Sequence, residues 1–129
     1  MSPARIANIL VPVVGCLDFF TGLGLTLLPK QILPLMRVPV PGEEALVYLR
    51  FVGVFVMAVG ASYLWTLFRF GRERLRTMLE LTLLFRLAAG FFSAAAIILN
   101  WLAPAWVSVP ITDLALAAIQ LWLVKKLPQ

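Results

Sequence analysis

The sequence predicts an all-α integral membrane protein: a four-helix up-down bundle, one transmembrane domain over residues 1–129, with both termini cytoplasmic. Three observations carry that prediction. The chain is 62% hydrophobic and only 13% charged, with a mean hydropathy of +0.98. A soluble domain holds about half apolar and about a quarter charged residues, so this chain has too little polar surface to be solvated all round. Four apolar runs, at about 6–28, 45–68, 78–100 and 106–124, reach the roughly 20 residues a helix needs to cross hydrocarbon. The basic residues gather at the ends of these runs, where topology signals sit. The net charge of +5 therefore reads as membrane orientation and not as a nucleic-acid surface, which would interleave its basic residues with aromatics along a groove.

The first run, Ile6 to Leu28, is stopped by Pro29 and Lys30. Asp18 interrupts it and it holds no Ala-x-Ala-like site, so it reads as a spanning helix and not as a cleaved signal. Val13-Val14-Gly15-Cys16 resembles a lipobox, but Leu17, Phe19 and Phe20 follow the cysteine where a polar tether belongs. Residues 29–44 carry Pro29, Pro34, Pro39 and Pro41, too dense for one regular helix. The apolar Ile32, Leu33, Leu35 and Met36 predict a short turn lying in the membrane interface there. Glu43 and Glu44 open the second helix, where they complement the positive end of its dipole.

The second helix places Arg50, Gly53, Met57, Gly60 and Ala61 on one stripe. Small residues let another helix approach closely, so this stripe faces the bundle. Arg50 lies about 8 Å inside the outer end at roughly 1.5 Å per residue. Arg69 to Arg76 then sets four arginines against Glu73, the strongest orientation signal in the chain, and cytoplasmic by the positive-inside rule. The third run puts Thr82, Arg86, Ala89, Gly90 and Ser93 on one stripe. Glu80 lies off it, four residues after Arg76, where a local ion pair with the loop arginines accounts for it. Trp101 and Trp106 mark an outer turn at headgroup level. The fourth run carries Asp113, Ala117 and Gln120 on one side and ends on Lys125 and Lys126.

Arg86, near the middle of its run, is the residue the rest must answer. A guanidinium keeps its proton and costs at least roughly 2.5–3.5 kcal/mol at the bilayer centre. By depth, Asp18 falls level with Arg86, and Asp113 with Arg50. The expectation is two interhelical salt bridges, Asp18 with Arg86 and Arg50 with Asp113, or one network of all four. Each half of the chain then carries one charge at mid-depth and the opposite sign shallower on its second helix, as an internal repeat about an axis along the membrane normal would produce.

Little else in the chain offers chemistry. It has no His and a single Cys, Cys16, so haem, zinc and copper sites lack ligands and no catalytic triad can form. No glycine-rich phosphate loop or dinucleotide fingerprint is present. Cys16 reads as a small buried filler. The expectation is a protein with no catalysis of its own and no cofactor.

A resemblance follows from short motifs spread along the chain: Gly22-Leu23-Gly24-Leu25-Thr26-Leu27-Leu28-Pro29, Leu49-Arg50-Phe51-Val52-Gly53 with Gly60, Phe85-Arg86-Leu87-Ala88-Ala89-Gly90, and the acid Asp113 opening the last helix. Together they resemble the small bacterial four-helix membrane proteins of the DoxX-like kind. The resemblance implies an up-down bundle in the inner (plasma) membrane, and an association with oxidoreductases that pass electrons to quinone. It leads to an accessory or assembly subunit of a membrane complex, in contact with lipid and with other subunits or a second copy. The alternative is a small transporter or binder of a lipophilic molecule such as a quinone, its pocket bordered by Asp18, Arg50, Arg86 and Asp113.

Overall fold

The computed structural model describes residues Met1–Pro128, which are helix and connecting turns with no strand among them. In order they are α1 (Pro3–Leu27), α2 (Pro29–Leu35), α3 (Glu43–Phe70), a 3-10 turn at Gly71–Arg74, α4 (Leu75–Ile98), a second 3-10 turn at Pro104–Val107, and α5 (Ser108–Lys126). Each predicted apolar run falls on one long helix. Three helical stretches are long and apolar enough to cross a membrane: Pro3–Leu27, Pro104–Lys126, and Glu43–Ile98, which contains both α3 and α4. The chain divides into two compact units, Met1–Leu75 and Arg76–Gln129.

In the first unit α1 and α3 pack backbone against backbone. A Cβ on Gly22 would stand 2.2 Å from the Met57 amide nitrogen and 2.5 Å from the Gly53 carbonyl oxygen. One on Gly60 would stand 2.2 Å from the Phe19 nitrogen and 2.7 Å from the Gly15 oxygen. Gly22 therefore meets Gly53 and Gly15 meets Gly60, a register that only antiparallel helices give. Close approach of this kind is how apolar helices gain contact where no hydrophobic effect drives them together. The inward stripe predicted for the second helix is thus present, with Gly53 and Gly60 buried on it.

Local chemistry sets the ends of these elements. The Ser2 hydroxyl caps α1 by accepting from the Arg5 amide at 3.3 Å, with Pro3 at the first helical position. Pro29 starts α2, so the predicted interfacial turn is in fact a short helix. It is held in by Leu33 and Pro29, both buried, and by Val38 beyond its end. Arg37 closes α2 in the left-handed region (φ 59°), with its amide donating to Pro34 O at 3.0 Å and the Val38 amide to Leu33 O at 2.9 Å. The Lys30 ammonium pairs with Glu43 and ties α2 to the start of α3. Gly71 (φ 63°, ψ −147°) ends α3 in a region essentially reserved for glycine.

In the second unit α4 and α5 are antiparallel, as their contacts from Arg76–Leu127 through Thr82–Gln120 to Gly90–Leu114 show. The turn between them begins at Asn100 (φ 59°), whose amide donates to Ile97 O at 3.1 Å while the Trp101 amide donates to Ala96 O at 2.8 Å. This is a left-handed helix stop with asparagine where glycine is commonest. Asn100→Gly is expected to leave thermal stability in detergent nearly unchanged. Asn100→Val should lower it by about 1 kcal/mol, because a β-branched residue tolerates that conformation poorly. Equal melting of the two variants would contradict this role.

Outward-facing positions are apolar in both units. Phe51, Phe55 and Trp65 on α3, and Leu84, Phe85 and Phe92 on α4, are all exposed. Phe51 and Phe55, one turn apart, stack edge to face with centroids 4.9 Å apart. A water-soluble helix would place charge at such positions. Cys16 is also exposed, which corrects the expectation of a buried filler. The packed face of α1 runs through Val11, Val14, Gly15, Gly22 and Leu25. Cys16 follows Gly15 by one residue, about 100° further round the helix.

Candidate functional site

Polar residues of α4 and α5 meet at two levels, Thr82 with Gln120 and Arg86 with Asp113. Leu75, Leu79, Thr82, Arg86, Gly90 and Ser93 of α4 are buried, and so are Pro110, Ala117, Gln120 and Leu123 of α5. The spacing of three and four residues follows the helical period, so the stripes expected on these two helices are present, with Ala89 the exception. It is exposed, since it neighbours Gly90 and turns away with the next residue of the helix.

Arg86 is the centre of this line. Its side chain is 4% exposed, and its Nη1 donates to Asp113 Oδ1 at 2.7 Å, the Asp side chain being 18% exposed. The geometry comes from Gly90, one turn beyond Arg86. A Cβ on Gly90 would lie 2.8 Å from the Leu114 side chain and 3.4 Å from Asp113 Cβ. Lacking one, Gly90 lets α5 come in close at that level, and the guanidinium reaches along α4 by one turn to meet the carboxylate. A charge-assisted bond of this length between groups with little access to water is among the stronger polar contacts a protein makes.

The carboxylate of Asp113, which depth pairs with Arg50, accepts from Arg86. Arg50 serves the end of α1 instead. Its Nη1 donates to Thr26 O at 2.5 Å and to Leu27 O at 3.2 Å, while Thr26 Oγ1 donates to Arg50 O at 3.4 Å. The last carbonyls of a helix lack intrahelical partners and carry the negative end of its dipole, so a cation is answered there without an acid. Asp18, the remaining member of the predicted cluster, is half-buried on α1 in the first unit.

Arg50→Gln, which keeps the hydrogen-bonding reach but removes the charge, is expected to lower unfolding free energy in detergent by about 1 kcal/mol. Arg50→Lys should retain most of it. A melting temperature unaffected by Arg50→Gln would contradict the capping role.

Two contacts extend the α4–α5 line. Gln120 Nε2 donates to Thr82 Oγ1 at 3.4 Å, both residues being fully buried, and Thr82 Oγ1 in turn donates to Met78 O at 2.8 Å. At the other end Arg76 Nε bonds Glu80 at 2.9 Å, the local pair the spacing predicted, and its Nη1 donates to Leu127 O at 3.0 Å. Leu127 caps α5, so in each unit an arginine of one helix closes the carbonyl end of its antiparallel neighbour. Sequence reasoning missed both capping contacts because it counted only acids as partners for arginine. The signal that could have found the first is Pro29, which ends α1 just before it and so leaves the carbonyls of the last turn without following amides to accept from.

Chemically, this arrangement fixes charge. Arg86 and Asp113 neutralise one another inside one unit, and Arg50 is neutralised by a helix terminus inside the other. In comparisons with protein-family models, with curated proteins and with solved structures, the chain matches none.

Proposed function

We infer that the chain is a multi-pass inner-membrane protein, crossing four times with both termini in the cytoplasm, and serves as an accessory or assembly subunit of a membrane complex with no catalysis of its own. The observation that carries the reading is the Arg86–Asp113 pair: a buried guanidinium bonded to a carboxylate of the same unit at 2.7 Å fastens two helices together. A charged group that carried protons or gripped a substrate would need to change partners during its work. The outward aromatic faces of α3 and α4 supply apolar surface for lipid or for helices of another subunit. The cytoplasmic assignment rests on the arginines from Arg69 to Arg76 and on Lys125 and Lys126. The motif resemblance to DoxX-like proteins agrees with a subunit that accompanies a larger membrane enzyme.

Native mass spectrometry of the protein, extracted from its own membranes in mild detergent, tests this. A stoichiometric partner protein is the expected result, and the partner names the process. A chain or homo-oligomer that instead carries a small lipophilic molecule would overturn the subunit reading in favour of a binder or transporter.

A further inference from the structure

The two ends of the first unit differ sharply in charge. In the antiparallel register Gly15 meets Gly60 and Gly22 meets Gly53, which brings Arg5 level with Phe70. One end of the unit therefore gathers Arg5, Arg69, Arg72 and Arg74 against the single acid Glu73, together with the amino terminus. The other end holds Lys30, Arg37 and Arg50 against Glu43 and Glu44, with Lys30 already paired to Glu43 and Arg50 taken up by the carbonyls of Thr26 and Leu27.

At the basic end the charge is uncompensated. Arg5, Arg69, Arg72 and Arg74 are all exposed, and none of them forms an ion pair among the described residues. Aromatic side chains stand beside them: Phe68 is 86% and Phe70 52% exposed, and the Arg69 guanidinium lies 5.9 Å from the centre of the Phe70 ring. Gly71 lifts the turn off α3 and has nothing within 4 Å of where a Cβ would be, so the 3-10 turn that carries Arg72 and Arg74 is open on that side. Every basic side chain of this end is arginine. The planar fork of arginine matches phosphate oxygens two at a time, which the ammonium of lysine does not.

We propose that this end of the first unit is a binding surface for the headgroups of anionic phospholipids, with the arginines holding the phosphate and Phe68 and Phe70 entering the boundary between headgroups and acyl chains. The inference rests on the reading that the chain spans a bilayer. Juxtamembrane basic clusters attract anionic lipid strongly, and the aromatic pair separates a lipid, which offers acyl chains beside its phosphate, from a free phosphate, which does not.

The test uses the full chain in nanodiscs of phosphatidylcholine with a minor share of phosphatidylglycerol. Lipids retained by the purified protein are counted by native mass spectrometry. Phosphatidylglycerol should be enriched about five-fold over its share of the bilayer, the scale expected for one arginine near a charged surface, and the enrichment should fall as salt rises. The triple variant R69Q/R72Q/R74Q, which leaves only Arg5 at this end, should lower it at least about two-fold with its melting temperature kept. The variant K30Q/R37Q, at the opposite end, should leave it unchanged. Excess inorganic phosphate at constant ionic strength should not displace the lipid.

Wild-type retention at the bulk ratio, or undiminished enrichment in the triple variant, would overturn the proposal. Displacement by inorganic phosphate would overturn it in favour of a site for the free anion. Failure of the wild-type chain to enter discs of phosphatidylcholine alone would overturn the bilayer reading itself, an outcome distinct from entry without lipid selectivity.

Discussion

Replacing Asp113 with Leu is expected to lower the unfolding free energy in detergent by about 3 kcal/mol, because the buried Arg86 then loses that carboxylate. Arg86→Met should cost less. A guanidinium keeps its charge when the carboxylate is gone, so the loss of Asp113 leaves that charge in the buried site, while the loss of Arg86 removes it. The double variant should lose less than the sum of the two single losses, by about 2 kcal/mol, since removing both charges removes the desolvation together with the attraction. Thermal melting of the four proteins closes the cycle. Strict additivity would mean that the 2.7 Å contact contributes nothing to holding α4 against α5.

The second large effect belongs to the glycine contact. Gly60→Leu is expected to destabilise the first unit by at least about 3 kcal/mol, since the added side chain would have to occupy the space now held by the backbone of α1 at Phe19 and Gly15. The matched control is Ala58→Leu, two residues earlier on the same helix at an exposed position. It should change stability by less than about 0.5 kcal/mol. The comparison separates packing from helix propensity, because the same side chain is added to the same helix in both. Similar melting of the two variants would remove the α1–α3 backbone contact as a determinant of the fold.

Much of this was legible in the sequence, for physical reasons that differ by feature. Runs of apolar residues bounded by proline and arginine announce helix ends within a few residues, because a helix that crosses hydrocarbon tolerates few alternatives. Gly53, Gly60, Thr82, Arg86 and Gly90 announced the inward stripes, since small and polar residues recur there at the helical period. The partner of Arg50 was not legible. Depth along a helix ranks charges by height and says nothing about rotation around the axis or about which neighbour stands adjacent. It also ignores the reach of an arginine side chain, which lets Arg86 meet an acid one turn away. The carbonyls of Thr26 and Leu27 are invisible in a list of side chains, yet they accept from Arg50. Cys16 shows the same limit on a smaller scale, because one residue's displacement from Gly15 moves a side chain from the packed face to the outer one.

The most direct measurement is labelling of Cys16, the single cysteine of the chain, with a water-soluble maleimide in intact membranes. Cys16 sits near the middle of α1 and faces outward, so it reports whether lipid or water covers that surface. A water-soluble reagent does not enter hydrocarbon, so a thiol covered by lipid is out of its reach. Labelling should be negligible in intact membranes and complete once sodium dodecyl sulfate has stripped the lipid away. Rapid labelling before detergent is added would put water against the middle of α1 and contradict its placement across the bilayer.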